Sequence, residues 1–475
     1  MTLTDSPLAD LVETEVLERV LHEALRRGGD FAEIFAEDRA SCGIFLDDGK
    51  VEELSSGRDR GAGIRVISNE TTGFAHTADL SEKGLLQAAE AAAAVAREGG
   101  GGGGVRQAAL SRQTPAPRTG VKKLPSSIPK SAKVELLLRA DDAARSTGGA
   151  ITQVSAGYGD SRRRILVANS GGLLTADDRV RTQVRLTCVA SGDGGLQTGF
   201  QTLAFTLGHE IFDDHPVEEV AERAAQRAIA KLTARPAPSG VLPVVIKSGS
   251  GGFLFHEACG HGLEADHVLK DSSVYAGRLG QVVASRGVTL VDDGSLAPQW
   301  GSLAIDDEGR PTQRNVLIED GVLSDYMWDY LRARKEGRTS SGNGRRQSYQ
   351  DLPMVRMTNT FLLAGEEDPD EIVSQTPNGV YVAQLGGGQV NTATGDFVFG
   401  MTEAYLIENG RITAPLRNAN LIGNGPDVLS KIDAIGNDLE MCSGTCGKDG
   451  QSVPVGCGQP TLRVTGITIG GTAGA

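Results

Sequence analysis

The stretch PSGVLPVVIKSGSGGFLFHEACGHGLEADH, residues 238–267, decides how the chain divides. A turn with Pro and Gly leads into VLPVVI at 241–246, a short apolar run that reads as a buried strand. A Gly/Ser loop then feeds a segment holding three of the chain's seven histidines, His256, His261 and His267. Upstream, amphipathic helical stripes alternate with strand patterns. Downstream, strand and turn signals dominate and helices are few. The expectation is an α+β protein of two domains: a mixed α/β N-terminal domain over 1–238, and a β-rich C-terminal domain over 239–475 carrying a His-Glu-x-x-x-His helix. A chain of 475 residues is long enough for two or three domains at roughly 100–200 residues each.

Working outward toward the N-terminus, Ser6-Pro7 opens a helix whose apolar stripe runs to Leu25 and stops at Gly28-Gly29. Residues 31–37 and 43–54 read as short strands, and GAGIRVISNETTGFAHT at 61–77 as a hairpin turning near Asn69. Further helices are expected at about 81–98, at 131–146 and from Pro216. The glycine run Gly99–Gly104 reads as a surface loop, with a domain linker as the alternative.

Acidic residues outnumber basic ones, giving a formal net charge of −14, which argues against a nucleic-acid partner. The N-terminus is acidic and lacks an apolar secretory segment. No run approaches the roughly 18 apolar residues of a membrane span. The six cysteines are then expected as reduced thiols in a soluble, cytoplasmic protein with no membrane partner.

The chemistry centres on residues 256–261. A pair of histidines four apart shares one helix face; five apart, they stand roughly 140° from each other. Metal binding by His256 and His261 therefore requires a π-bulge or a helix break, and irregular backbone is expected between Cys259 and Gly262. Two imidazoles suit one divalent metal, zinc first and iron as the alternative, with a third protein ligand and an open position for water. Glu257 stands where a general base would stand. The competing reading is a glycine-flanked helix with satisfied histidines. His267, Cys259, or Cys442, Cys446 and Cys457 further on could each complete a ligand set. Glu264 and Asp266 fit as carboxylates orienting the imidazoles, or as solvated loop charges. Gly386, Gly387 and Gly388 beside GDFVFGMTEAYLIE would let an extended peptide approach a strand edge; the alternative is a tight turn needing positive φ.

Several longer segments share one resemblance: HEACGHGLEAD at 256–266, LPMVRMTNTFLL at 352–363, GGGQVNTATGDFVFGMTEAYLIENG at 386–410, CGKDGQSVPVGCGQPTLRV at 446–464 and GGTA at 470–473. Together with GAGIRVISNETTGFAHT they resemble, in order and over nearly the whole chain, the TldD/PmbA family of metallopeptidases, and within it the catalytic TldD branch. The resemblance implies His256 and His261 as ligands, Glu257 as the catalytic glutamate, and the Cys446 thiolate as third ligand. It implies unfolded polypeptides or ribosomally made precursor peptides as substrates. It also implies a homologous TldE/PmbA-like subunit as partner in a heterodimer, or a second copy in a homodimer. Two alternatives use the same residues: a metal-binding scaffold subunit without activity of its own, and a metal-dependent hydrolase of small amides.

Overall fold

Seven strands of the N-terminal half form one sheet in which Thr71–Thr77, Lys50–Ser68, Phe31–Asp47, Ile151–Asn169 and Leu173–Gly192 follow one another. The last of these also pairs with Gly195–Phe205 and with the short Ser111–Arg112. The computed structural model describes residues 11–97, 107–116, 120–193, 195–417 and 419–471. Ser6-Pro7 and the glycine run 99–104 lie outside the described residues; the helix expected to open at Ser6-Pro7 begins only at Thr14, after bends at Leu11 and Val12 and an extended Glu13.

The short strands expected at 31–37 and 43–54 are parts of two long ones, joined by a two-residue turn at Asp48-Gly49 where both residues have positive φ. The polar SSGRDRG at 55–61 stays extended because its neighbours complement it. Arg58 donates to Asp38 at 2.7 Å on the adjacent strand, and Arg164 reaches the same carboxylate from the other side. Those hydrogen bonds, Arg58's first, hold the Asp38 carboxyl down to about 2.

Two pairs of helices cover this sheet. Thr14–Leu25 and Glu82–Arg97 bury Leu17, Leu21, Ala89 and Ala92 with Ile34 and Ile64. Lys130–Ser146 and Val217–Ala230 bury Leu137, Ala140, Ala221 and Ala224 with Val184 and Leu186. The alanine-rich helices lie directly on strand glycines. A Cβ at Gly73 would stand 2.0 Å from the Ala92 carbonyl oxygen, and one at Gly199 would stand 1.9 Å from that of Ala224.

The C-terminal half builds two sheets. One runs Asn378–Val390, Gly240–Ile246, Leu462–Gly470, Asn420–Asn424, Asp396–Glu408, Arg411–Arg417 and Arg235–Pro236, with Ile432–Ile435 added on Leu462–Gly470. Asn378–Val390 also pairs with Asp396–Glu408, so the first five strands close into a barrel. The other sheet runs Val322–Leu323, Arg314–Glu319, Leu290–Asp293, Asn359–Leu362, Gln451–Gln459 and Glu440–Lys448. One apolar core, with Leu254, Phe255, Met357, Phe399 and Leu462, joins them. The segment from Gly252 to Gly260 packs against strands of both.

The halves meet through buried charge. Arg346 pairs with Glu33 at 2.5 Å, Arg65 with Glu308 at 2.8 Å and Arg179 with Asp307 at 2.6 Å. Phe35 lies under the Arg163 and Arg346 guanidinium groups. The Tyr349 ring docks where Gly61 has no side chain; a Cβ there would meet it at 2.3 Å.

Candidate metal centre

The site begins with a close approach. Gly252 opens the helix Gly252–Phe255 against strand Gln451–Gln459, where a Cβ would lie 2.2 Å from the Gly458 nitrogen. The helix then widens. His256–Gly260 forms one π-helical turn, closed by the His261 N–H donating to the His256 carbonyl, and His261–Leu263 tightens to 3-10. The five-residue closure places both imidazoles on one face, which regular α-helix geometry at this spacing does not. Their ring centroids are 5.0 Å apart at 82°. The irregularity starts at His256, earlier than the Cys259–Gly262 interval anticipated from spacing.

Cys446, on the edge strand Glu440–Lys448, completes the cluster from 185 residues away, its Sγ 3.4 Å from His261 Nε2. The ligand atoms of His256, His261 and Cys446 all lie within 4.8 Å of one another, and all three residues are buried. A tetrahedral zinc with bonds of about 2.3 Å to sulfur and about 2.0 Å to nitrogen spaces such atoms roughly 3.5 Å apart. Neither ring nitrogen of His256 has a hydrogen-bond partner among the described residues, although both are buried. A buried imidazole normally finds a partner; a metal would supply one. The donor set therefore fits a soft or borderline divalent ion.

The thiols separate cleanly. Burial would raise the Cys446 thiol, but the adjoining His256 and His261 rings bring it down to about 4. Burial pushes Cys442 and Cys259 up to about 12, and Cys457 is raised well above its ordinary value. Cys442 donates to the Gly249 carbonyl at 3.6 Å and stands outside the ligand cluster. Cys446 is thus the one of these four poised as a thiolate.

Around the ligands lies a charged frame. Glu264 Oε2 accepts from His261 Nδ1 at 3.0 Å, which leaves Nε2 turned toward Cys446. Lys448 donates to Glu264 at 2.9 Å, to Asp266 at 2.8 Å and to the Val355 carbonyl at 3.1 Å. Burial would raise the fully buried Glu264; Lys448 and then His261 hold it at about 2 instead. Burial would likewise lower His261, yet chiefly the charge of Glu264 leaves it well above its ordinary value. Asp266 reaches Lys448 and no imidazole of the ligand pair. Glu264, Asp266 and His267 also cluster, but the ammonium of Lys448 already sits between the two carboxylates. Lys448 escaped the sequence reading, although it lies two residues beyond Cys446 on the same strand face. Arg356, fully buried, donates to the Cys446 carbonyl at 2.5 Å and was missed as well.

Glu257 is about a quarter exposed, with Oε2 3.9 Å from His261 Nε2. Gly386, Gly387 and Gly388 lie inside strand Asn378–Val390, which packs against the π turn. None of the three has positive φ, so the tight-turn alternative does not apply. A Cβ at Gly388 would meet the Phe399 ring at 2.2 Å, whereas Gly387 faces open space.

Models of the PmbA/TldA metallopeptidase match the chain in three segments: domain 1 at 32–96, the central domain at 123–232 and the C-terminal domain at 239–471. A Haemophilus influenzae protein named metalloprotease TldD homolog is 39% identical, covering 97% of this chain and 97% of its own. This chain belongs to the PmbA/TldD metallopeptidase family. A Methanothermobacter thermautotrophicus relative named metalloprotease is 36% identical over 97% of this chain and 100% of its own. A zinc metalloprotease TldD homolog of Saccharolobus solfataricus is 32% identical over 57% of this chain and 60% of its own. Among solved structures, TldE from Thermococcus kodakarensis superposes with a TM-score of 0.77 at 21% identity, over 96% of this chain and 99% of its own. A Thermotoga maritima protein described as a putative modulator of a DNA gyrase reaches 0.80 at 22%, with the same coverage. At those identities the likeness establishes the fold alone.

Proposed function

We propose that this family member is a catalytic, TldD-like peptidase that hydrolyses unstructured polypeptides or ribosomally made precursor peptides. The observation that carries this reading is the buried His256–His261–Cys446 cluster with a carboxylate beside it. One zinc ion is the group the cluster suits; when bound, it lowers the pKa of a water and polarises the peptide carbonyl. The chain's own residues do the rest. Glu264 fixes the His261 tautomer, the Glu257 carboxylate takes the proton from water, and the same carboxylate returns it to the leaving amine.

The open face at Gly387, on a strand packed against the π turn, supports binding of substrate through its main chain. Side-chain preference near the scissile bond is then weak, and folded proteins are poor substrates. A homologous TldE/PmbA-like subunit, or a second copy of this chain, is the partner this reading expects from membership of the family. No helix among the described residues is long and apolar enough to cross a membrane. We also read the break near residue 238 as a division into two working units, 1–238 and 239–475.

The test is Glu257→Gln. Metal content by elemental analysis should match the parent protein, while cleavage of an unfolded polypeptide falls by roughly 10²–10⁴-fold. Near-normal turnover would show that another group is the base. Cleavage of the folded form of the same polypeptide at a comparable rate would refute the proposed substrate class.

A further inference from the structure

Between the two halves lies a cleft of about 870 Å³, within the roughly 300–1,000 Å³ of ordinary ligand pockets. The helix 217–230 and strands of the N-terminal sheet form one wall; Lys247–Ser250, Phe253 and residues 440–445 form the other. It touches none of the three candidate ligands, but Thr445 on its wall directly precedes Cys446, and Phe253 lies three residues before His256. The strand Glu440–Lys448 and the helix Gly252–Phe255, which lead to the candidate ligands, therefore also contribute to the cleft wall.

The sign of the walls opposes that of the molecule. Four cations line the cleft, Arg185, Arg223, Arg227 and Lys247, against two acids, Glu403 and Glu440, in a chain of formal net charge −14. Arg227 and Glu403 neutralise each other at 2.7 Å. Arg223 reaches Glu219 only at 3.9 Å, with both side chains mostly exposed. Arg185 and Lys247 are exposed, and their side chains have no ionic partner among the described residues. Arg185, Lys247 and the loosely paired Arg223 therefore face the cleft, with Glu440 as the remaining acid of its lining. Concentrated charge of one sign in a cleft draws ligands of the other sign and repels its own.

We propose that this cleft selects acidic segments of the substrate, with Arg185, Arg223 and Lys247 meeting Asp and Glu side chains while the bond to be cut lies at the His256–His261–Cys446 centre. The proposal rests on the peptidase reading and gives it a charge preference remote from the scissile bond, compatible with weak preference beside it.

Binding tests it without hydrolysis. Fluorescence anisotropy of full-length Glu257→Gln protein is followed with labelled decapeptides that are acidic, neutral or basic. At low salt the acidic peptide should bind roughly tenfold more tightly than the neutral one, and the gap should close as salt rises. In Glu257→Gln/Arg185→Glu/Lys247→Glu the order should invert, the basic peptide binding best; an unchanged melting temperature shows that the fold persists. Equal affinity for acidic and neutral peptides, or an order unmoved by charge reversal, overturns the proposal. If the acidic preference is found but the parent protein cuts no peptide, the peptidase reading fails and the cleft assignment stands.

Discussion

Lys448→Met would remove the ammonium that the fold places between two buried carboxylates. Glu264 has no exposed surface and Asp266 is 6% exposed, so neither can turn to water without moving backbone. Lys448 and His261 together hold Glu264 at about 2 against its ordinary 4.5, which corresponds to about 3 kcal/mol of folding stability. That sits at the low end of the ~3–5 kcal/mol lost when one member of a buried pair is deleted. The sign follows from the direction of the shift. A carboxyl whose pKa is lowered by folding stabilises above its unfolded value and loses that contribution as pH falls from about 4.5 toward about 2. The penalty of Lys448→Met should therefore be full at pH 7 and shrink on acidification. Urea denaturation of metal-free protein between pH 3 and pH 7 measures it. Adding Glu264→Gln should recover part of the loss, because the stranded charge is gone, and the coupling appears in the double-mutant cycle. A loss below about 1 kcal/mol at pH 7, or one that does not vary with pH, would refute the account of Lys448 as the clamp of this frame.

Cys446→Ser should sharply lower zinc content after dialysis, whereas Cys457→Ser should not; equal loss in both would displace Cys446 from the ligand set. Chelation should destabilise the protein by an amount that tracks metal concentration, about 2.7 kcal/mol at 100 times Kd, and a melting temperature indifferent to zinc would argue against a preformed site. Gly252→Ala puts a methyl group 2.2 Å from the Gly458 nitrogen, which cannot step aside. It should cost about 1–3 kcal/mol by thermal denaturation and weaken zinc binding, because the π turn that carries His256 starts four residues later.

What could be read from sequence depended on whether a residue's partner lay nearby along the chain. The five-residue spacing of His256 and His261 was informative because backbone geometry alone forbids a shared face at that spacing; a π turn is a local remedy, and a local pattern can reveal it. Cys446 came into view through resemblance, since nothing in CGKDG itself distinguishes a ligand thiolate from Cys442 or Cys457. The amphipathic helices were visible in their periodicities, but residues 55–60 were assigned to no strand, because the Asp38 that Arg58 pairs with lies 20 residues away on the neighbouring strand, and the Arg164 that shares it lies more than 100 residues away on the strand beyond. Lys448 is the sharpest case. Beside a turn residue such as Asp449, a lysine ordinarily reads as solvated charge. It is buried here only because the strand that presents Cys446 to His261 must present Lys448, two residues on, to the carboxylate that orients the same imidazole. The fold cannot deliver the thiolate without also delivering the ammonium. A substitution at position 448 should therefore disturb the metal site through the strand's register with Glu264, even though Lys448 supplies none of the ligand atoms.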